Sequence, residues 1–260
     1  MTDPKHRRER RDTVLVLLFA AGILAVIALV LCFALRQPKK GEDAGSTTAP
    51  QTETSAADGF SIDGFTALPQ LAARELDGGL RLLSGGYYSG DYVEDGSDEP
   101  VERVLALLVE NGGTDFLEYA QICLPCGDGY AYFDLTGLPV QGKCIVFARD
   151  RAAYRETMVL GELAVALVAP LRARAVLDFG AQFRLSTADG VLNLTNVSGS
   201  AIDYDVAVCY KNYRDGLYWG GITYRATFAG GFQEGETRQS IQRHYTEDGS
   251  VPFYMIYDQP

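Results

Sequence analysis

Cys123-Leu124-Pro125-Cys126 has the spacing of a redox pair or of half a zinc site, and it is the sharpest chemical motif in the chain. A thioredoxin-like pair opens a helix that lowers the attacking thiol's pKa, whereas this pair ends an extended run and enters Gly127-Asp128-Gly129. A second Cys-x-x-Cys or a nearby His, which zinc needs, is missing. Cys144 can close a structural disulfide with Cys123 or Cys126 if their strands are neighbours; the three can equally be free structural cysteines or a redox set. His244, between Arg243 and Tyr245, is the only histidine after residue 40 and reads as a packing or hydrogen-bonding residue. No Gly-x-Ser-x-Gly, His-Glu-x-x-His or phosphate-cradling glycine loop is present. The loop VEDGSDEP crowds Glu94, Asp95, Asp98 and Glu99, which suits Ca²⁺ in kind but lacks EF-hand spacing, so a solvated turn is the plainer reading. Asn193 and Asn196 head formal glycosylation sequons inside a predicted strand and turn. No catalytic residue, metal ligand or cofactor is therefore expected.

Aromatic residues offer a surface instead. Tyr210, Tyr213, Tyr218, Trp219 and Tyr224 cluster beside Gly220-Gly221. Aromatics give contact area at low entropic cost, and paired glycines admit another backbone or a flat ligand. The candidate binding residues are thus Tyr213, Tyr218, Trp219, Gly220, Gly221 and Tyr224, against the alternative of cross-strand packing with a bulge at the glycines. Gly85-Gly86-Tyr87-Tyr88 is the counterpart in the first half.

The elements that must position these groups are strands. Short β-branched and aromatic runs recur between Asp-Gly, Gly-Gly and Asn-Gly punctuation, the pattern of an all-β sandwich. Setting Asn111 against Asn196 exposes an internal repeat: LALLVENGGTDFLEYAQICL resembles VLNLTNVSGSAIDYDVAVCY, with Cys123 and Cys209 falling 12 and 13 residues after the Asn. Further on, LTGLPVQG parallels FAGGFQEG, while the hairpins between differ in length. Each copy has the size of one immunoglobulin-like domain, giving domains over 64–172 and 173–260. In the second, Ile202, Tyr204, Val206, Val208 and Tyr210 alternate onto a core face and Asp203, Asp205, Ala207, Cys209 and Lys211 onto the opposite one. Asp215-Gly216 predicts a tight hairpin turn, and Asp248-Gly249 precedes the closing strand VPFYMIY. In the first copy, Ala120, Ile122 and Leu124 form the apolar face, and Leu163, Val165 and Leu167 its last strand. A short helix is predicted over 67–77, ended by Gly78-Gly79.

Ahead of these domains, residues 13–35 form an apolar run of 23 residues without a charge, long enough as a helix to cross a bilayer. It exceeds a signal-peptide core and lacks an A-x-A-like site, and Leu31 before Cys32 fits a lipoprotein cleavage site poorly. Five Lys/Arg precede the run and three follow it, which predicts a cytoplasmic basic tail over 1–12 and an exported C-terminal part. Residues 36–63 are small and polar and read as a flexible linker. Residues 41–260 hold 15 Lys+Arg against 31 Asp+Glu, a balance of −16 that repels nucleic acid and anionic headgroups.

Anchor, stalk and tandem pattern, with GGYYSGDYV in the first half and YKNYRDGLYWGGITYR then RHY in the second, resemble uncharacterised membrane-anchored envelope proteins of Gram-positive-type bacteria. Their ectodomains are tandem immunoglobulin-like sandwiches of the FxLYD type, so the resemblance implies a fold and a location but no catalytic residue. The expected function is that of a non-enzymatic, single-pass cell-membrane protein whose extracellular domains bind a protein or envelope component. The alternatives are an envelope thiol-redox protein using Cys123 and Cys126, or a structural accessory subunit of a membrane complex. Residues 59–260 alone are expected to fold as a soluble protein with a β-type far-ultraviolet circular dichroism spectrum; a helix-dominated spectrum contradicts the reading.

Overall fold

The computed structural model describes residues 62–171 and 180–258. The anchor predicted over 13–35 and nearly all of the linker lie outside them; among the described residues no helix is long and apolar enough to cross a membrane. The described chain is mainly β, as its sequence pattern requires. The first half supplies β1 (Phe65–Glu75), β2 (Leu80–Tyr92), β3 (Glu99–Asn111), β4 (Leu117–Cys126), β5 (Gly129–Leu138), β6 (Lys143–Phe147) and β7 (Ala164–Pro170). The second supplies β8 (Phe183–Ala188), β9 (Val191–Asn196), β10 (Asp205–Arg214), β11 (Leu217–Phe228), β12 (Thr237–Ile241) and β13 (Ser250–Asp258).

The repeat seen in the sequence is a repeat of strand pairing. In the first half β2-β3-β6 face β5-β4-β7; in the second, β8-β9-β12 and β11-β10-β13 pair in the same order. The two asparagines do the same work in each copy. Asn111 Nδ2 donates to the carbonyls of Asp115 and Leu138, each at 3.0 Å, while its Oδ1 accepts from Gly113 N. Asn196 Nδ2 donates to Ser200 O and Gln233 O, and its Oδ1 accepts from Ser198 N. A side chain with two donors and an acceptor can satisfy its own turn and the next strand's carbonyl together, which explains a buried Asn at each strand end. Asn196 has no amide free for glycosylation.

The halves are nevertheless not separate beads. The short strand β6 pairs in parallel with β11, Cys144 opposite Tyr218 and Ile145 opposite Trp219, so β1-β2-β3-β6-β11-β10-β13 form one seven-stranded sheet. Two cores result, and Leu217 and Trp219 from the second half belong to the first. Trp219, 6% exposed, meets Tyr88 at 5.8 Å and Phe147 at 6.0 Å between ring centroids. The segment from Cys209 to Gly235 is 26 residues against 19 from Cys123 to Gly142, and the longer hairpin carries Trp219 into its neighbour. That hairpin closes where the sequence predicts: Asp215 and Gly216 both have positive φ, 51° and 83°, as a type I′ turn requires.

Three local expectations are corrected. The helix predicted over 67–77 is absent: residues 67–75 lie in β1, and a single 3-10 turn, Asp77–Gly79, follows them. A bulge sets Ala67 opposite Gly86 and Ala72 opposite Ser84, so Leu68 and Leu71 reach the core three residues apart and imitate a helical period. In β10, Val206, Val208 and Tyr210 enter the second core as expected, but Ala207, Cys209 and Lys211 are buried too. Elements of the first half cover that face, with Phe116 packing on Phe253 and Tyr254. In β7 a bulge at Ala166 breaks the alternation, and Leu167 turns outward at 53% exposed.

Trp219→Ala is expected to lower folding stability by about 3–5 kcal/mol through the cavity left in the first core, read as the urea midpoint. A change below about 1 kcal/mol would contradict its core placement.

Candidate functional site

Two polar assemblies form where the halves meet, one sealed and one open. The sealed one is built on Gly220-Gly221. A side chain at Gly221 would overlap the carbonyl of Asp134, so the close approach anticipated for these glycines is made by the protein's own backbone. Thr136 Oγ1 donates to Gly221 O at 2.9 Å, and Thr223 Oγ1 donates back to Thr136 O at 2.8 Å. Lys211, fully buried, donates to Thr136 O at 3.0 Å and Ile222 O at 2.7 Å. The Glu94 carboxylate reaches in from the β2–β3 loop and accepts from Phe147 N at 2.9 Å and Gly221 N at 2.8 Å, joining β6 to β11. Burial pushes the Glu94 carboxyl up to about 7 despite these bonds and the nearby Lys211 ammonium, and burial pulls Lys211 down.

The cysteines have no such poise. Cys123 and Cys126 stand three residues apart along β4, about 10 Å in an extended strand and beyond the roughly 7 Å that a disulfide spans. Burial raises both thiols. Cys144 is on β6, in the sheet facing β4 rather than beside it, so the proposed cross-strand bridge has no neighbouring strands to join. Its thiol donates to Gly220 O at 3.1 Å, and burial pushes it up to about 12. The four described cysteines are free.

The acidic loop is likewise committed to protein partners. Asp95 and Glu99 pair with Arg151, and Asp98 lies 3.2 Å from His244 Nδ1 and 3.7 Å from Arg243. His244 stacks on Tyr224 at 4.9 Å, so it clasps the first half's loop to the second half. Among the described residues no group of three or more His, Cys, Asp or Glu is placed to hold a metal ion.

The open assembly is a cleft of about 670 Å³ between the end of β2 with its following loop and the tip of the β10–β11 hairpin. Asp91 and Asp98 line it from the first half; Arg214, Asp215, Trp219 and Asp248 line it from the second. Arg214 stands 4.4 Å over the Trp219 ring and makes no ion pair with a described residue. Asp98 is engaged by Arg243 and His244, and the remaining Asp91, Asp215 and Asp248 against Arg214 still leave the cleft negative, as small shaped hollows of one sign concentrate the opposite charge. A shallower groove of about 550 Å³ lies on the other side of the same tip, lined by Tyr213 and Tyr218.

The six candidate binding residues therefore divide. Tyr213, 40% exposed, borders both hollows; Tyr218 borders the groove, and Trp219 shows the cleft only an edge. Gly220 and Gly221 are inside the joint, and Tyr224 is sandwiched between Tyr210 and His244. In the first half, Tyr88 is core, and Tyr87 stacks on Tyr154 beneath Arg103. Sequence reasoning missed Asp91, Asp98, Asp215 and Asp248 as a group because they lie far apart in the chain, and it placed Lys211 on a solvent face. The available signals were Asp215-Gly216 and Asp248-Gly249, read as turn residues, and Asp98, read as part of a solvated loop. Among known proteins, no family model matches this chain, and no curated protein or solved structure is found similar to it.

Glu94 makes the joint sensitive to pH. A carboxyl whose folded pKa lies above its unfolded value contributes stability that is fully present below about pH 4.5 and is lost as pH rises through about 7. Wild-type stability is expected to fall between pH 4.5 and 7.5 by about 1–3 kcal/mol more than that of Glu94→Gln, measured by urea denaturation across that range. Parallel curves for the two proteins contradict the assignment.

Proposed function

We propose that this chain is a non-enzymatic, single-pass membrane protein whose two immunoglobulin-like modules, held outside the cell, capture a protein or envelope component bearing positive charge. The cleft between the modules carries the reading: carboxylates from both halves converge on a hollow beside an aromatic residue. Small hollows lined by a few convergent polar groups are where proteins bind ligands. The groups whose types suit acid–base or thiol chemistry favour binding as well. Lys211 is buried and Glu94 half-buried, both hydrogen-bonded to backbone, and burial raises the thiols. The −16 balance of residues 41–260 disfavours nucleic acid as a partner. The uncharged stretch 13–35 supplies the single span, with the basic N-terminal tail in the cytoplasm.

A short lysine-rich peptide is a suitable probe, with binding measured by isothermal titration calorimetry. Replacing Asp91, Asp215 and Asp248 together by Asn is expected to weaken capture at least about tenfold, each carboxylate contributing up to about 1 kcal/mol, with little change in melting temperature. Binding should also weaken as salt rises. Equal affinity of the triple variant, or no binding even at low salt, overturns the proposal.

A further inference from the structure

The edge strand β7 pairs with β4 alone and differs in charge from the other edges. Its sequence, Ala164-Val-Ala-Leu-Val-Ala-Pro170, has no charge, and among the described edge strands it alone lacks one: β1 carries Arg74 and Glu75, β5 Asp134, β8 Arg184, β12 Arg238 and β13 Asp258. Charges on an edge discourage another strand from adding to it; β7 lacks that protection and is blunted only by its bulge at Ala166 and by Pro170 at its end, which leaves Ala164–Ala169 an apolar edge open to association. Here it is not covered by the described residues: Leu167 is 53% exposed, and Val159, on the chain leading into the strand, is 77% exposed.

Two features identify the covering strand. The run is almost a palindrome. A two-fold axis between Ala166 and Leu167 sets Val165 against Val168 and Ala164 against Ala169 of a second copy. The faces agree with this register. Val165 and Val168 both pack against the first core, the bulge at Ala166 having brought residues three apart to one side. Ala164 and Ala169 pair with Cys123 and Tyr119 on the opposite face. Residues directly opposite in an antiparallel pair share a face, so the two-fold pairing keeps core with core and surface with surface. Charge points the same way. The −16 balance over residues 41–260 opposes association of two copies at long range, but β7 itself brings no like charges directly opposite one another, whereas a basic partner would find no carboxylate on it.

From this geometry we infer that the protein forms a two-fold homodimer by antiparallel pairing of β7 with β7 of a second copy, joining the two β5-β4-β7 sheets into one of six strands. This contact is isologous and closes at two copies. It is independent of the cleft and of what the cleft binds.

The full-length protein in detergent micelles, with its protein mass measured by light scattering after size exclusion at about 50 µM, tests the inference. The expected result is twice the chain mass for the wild type. Leu167→Lys should return the single-chain mass with an unchanged β-type circular dichroism spectrum and melting temperature, since the side chain is largely outside the core. Ala164→Lys, at the outer face of the same strand, serves as the second variant should the first not fold. A monomeric wild type overturns the inference, as it would if β7 instead awaited a strand from another protein. A dimer that survives both folded variants also overturns it, because association then lies elsewhere, for example in residues 13–35.

Discussion

Everything distinctive about this protein depends on two residue pairs of parallel β-structure, Cys144 with Tyr218 and Ile145 with Trp219. So short a ladder cannot hold two modules together by its backbone bonds alone. What secures it is the set of side chains around it. Glu94 accepts N–H groups from both strands where their ladder ends, Lys211 donates to carbonyls of both halves, and Trp219 fills part of the other half's core. Removing a carboxylate and an ammonium from water is costly, and such groups are tolerated when nearly every polar atom they bring finds a partner. Glu94 and Lys211 meet that condition chiefly through backbone groups and not through one another. Their bonds thus specify the position of particular peptide groups, and hence the register of the joint.

The joint also explains the open cleft. Asp91 and Asp98 belong to one half and Arg214, Asp215 and Asp248 to the other, so the hollow exists only in the joined arrangement. The loop that bears Asp98 is held at three points: Glu94 enters the joint, Asp95 and Glu99 engage Arg151, and Asp98 meets His244 and Arg243. A run of acidic residues that looks like solvated turn material is therefore an anchored wall. Exposed ion pairs such as Arg151 with Glu99 contribute little individually. It is the half-buried Glu94 at one end of the loop, bound to backbone of both β6 and β11, that makes their geometry matter.

Much of the construction plan was legible in the residues. Period-two alternation identified the core face of β10, Asp215-Gly216 identified the hairpin turn, and the recurrence of Asn111 and Asn196 identified two copies of one pairing scheme. Each is a local rule that the backbone enforces within a few residues. The failures have an equally local cause. The bulge in β1 shifted Leu68 and Leu71 into a three-residue spacing that belongs to helices. The bulge at Ala166 likewise turned Leu167 away from the side that alternation assigned to it. A sequence period measures side-chain direction only while the ladder is regular.

By itself, the sequence determined the β class, the tandem copies, the turns and the acidic balance, because composition and short-range backbone geometry decide those. It also held the clue to the joint, in a second-copy hairpin seven residues longer than the first. Where that hairpin goes was decided by tertiary structure alone. Lys211 alternates onto the polar side of β10 and is buried because a different module lies over it, and Trp219 has the spacing of a surface aromatic yet sits in a neighbour's core. Burial is a property of what packs against a strand, and residues more than a hundred positions away, such as Glu94 against Gly221, leave no local trace of their meeting.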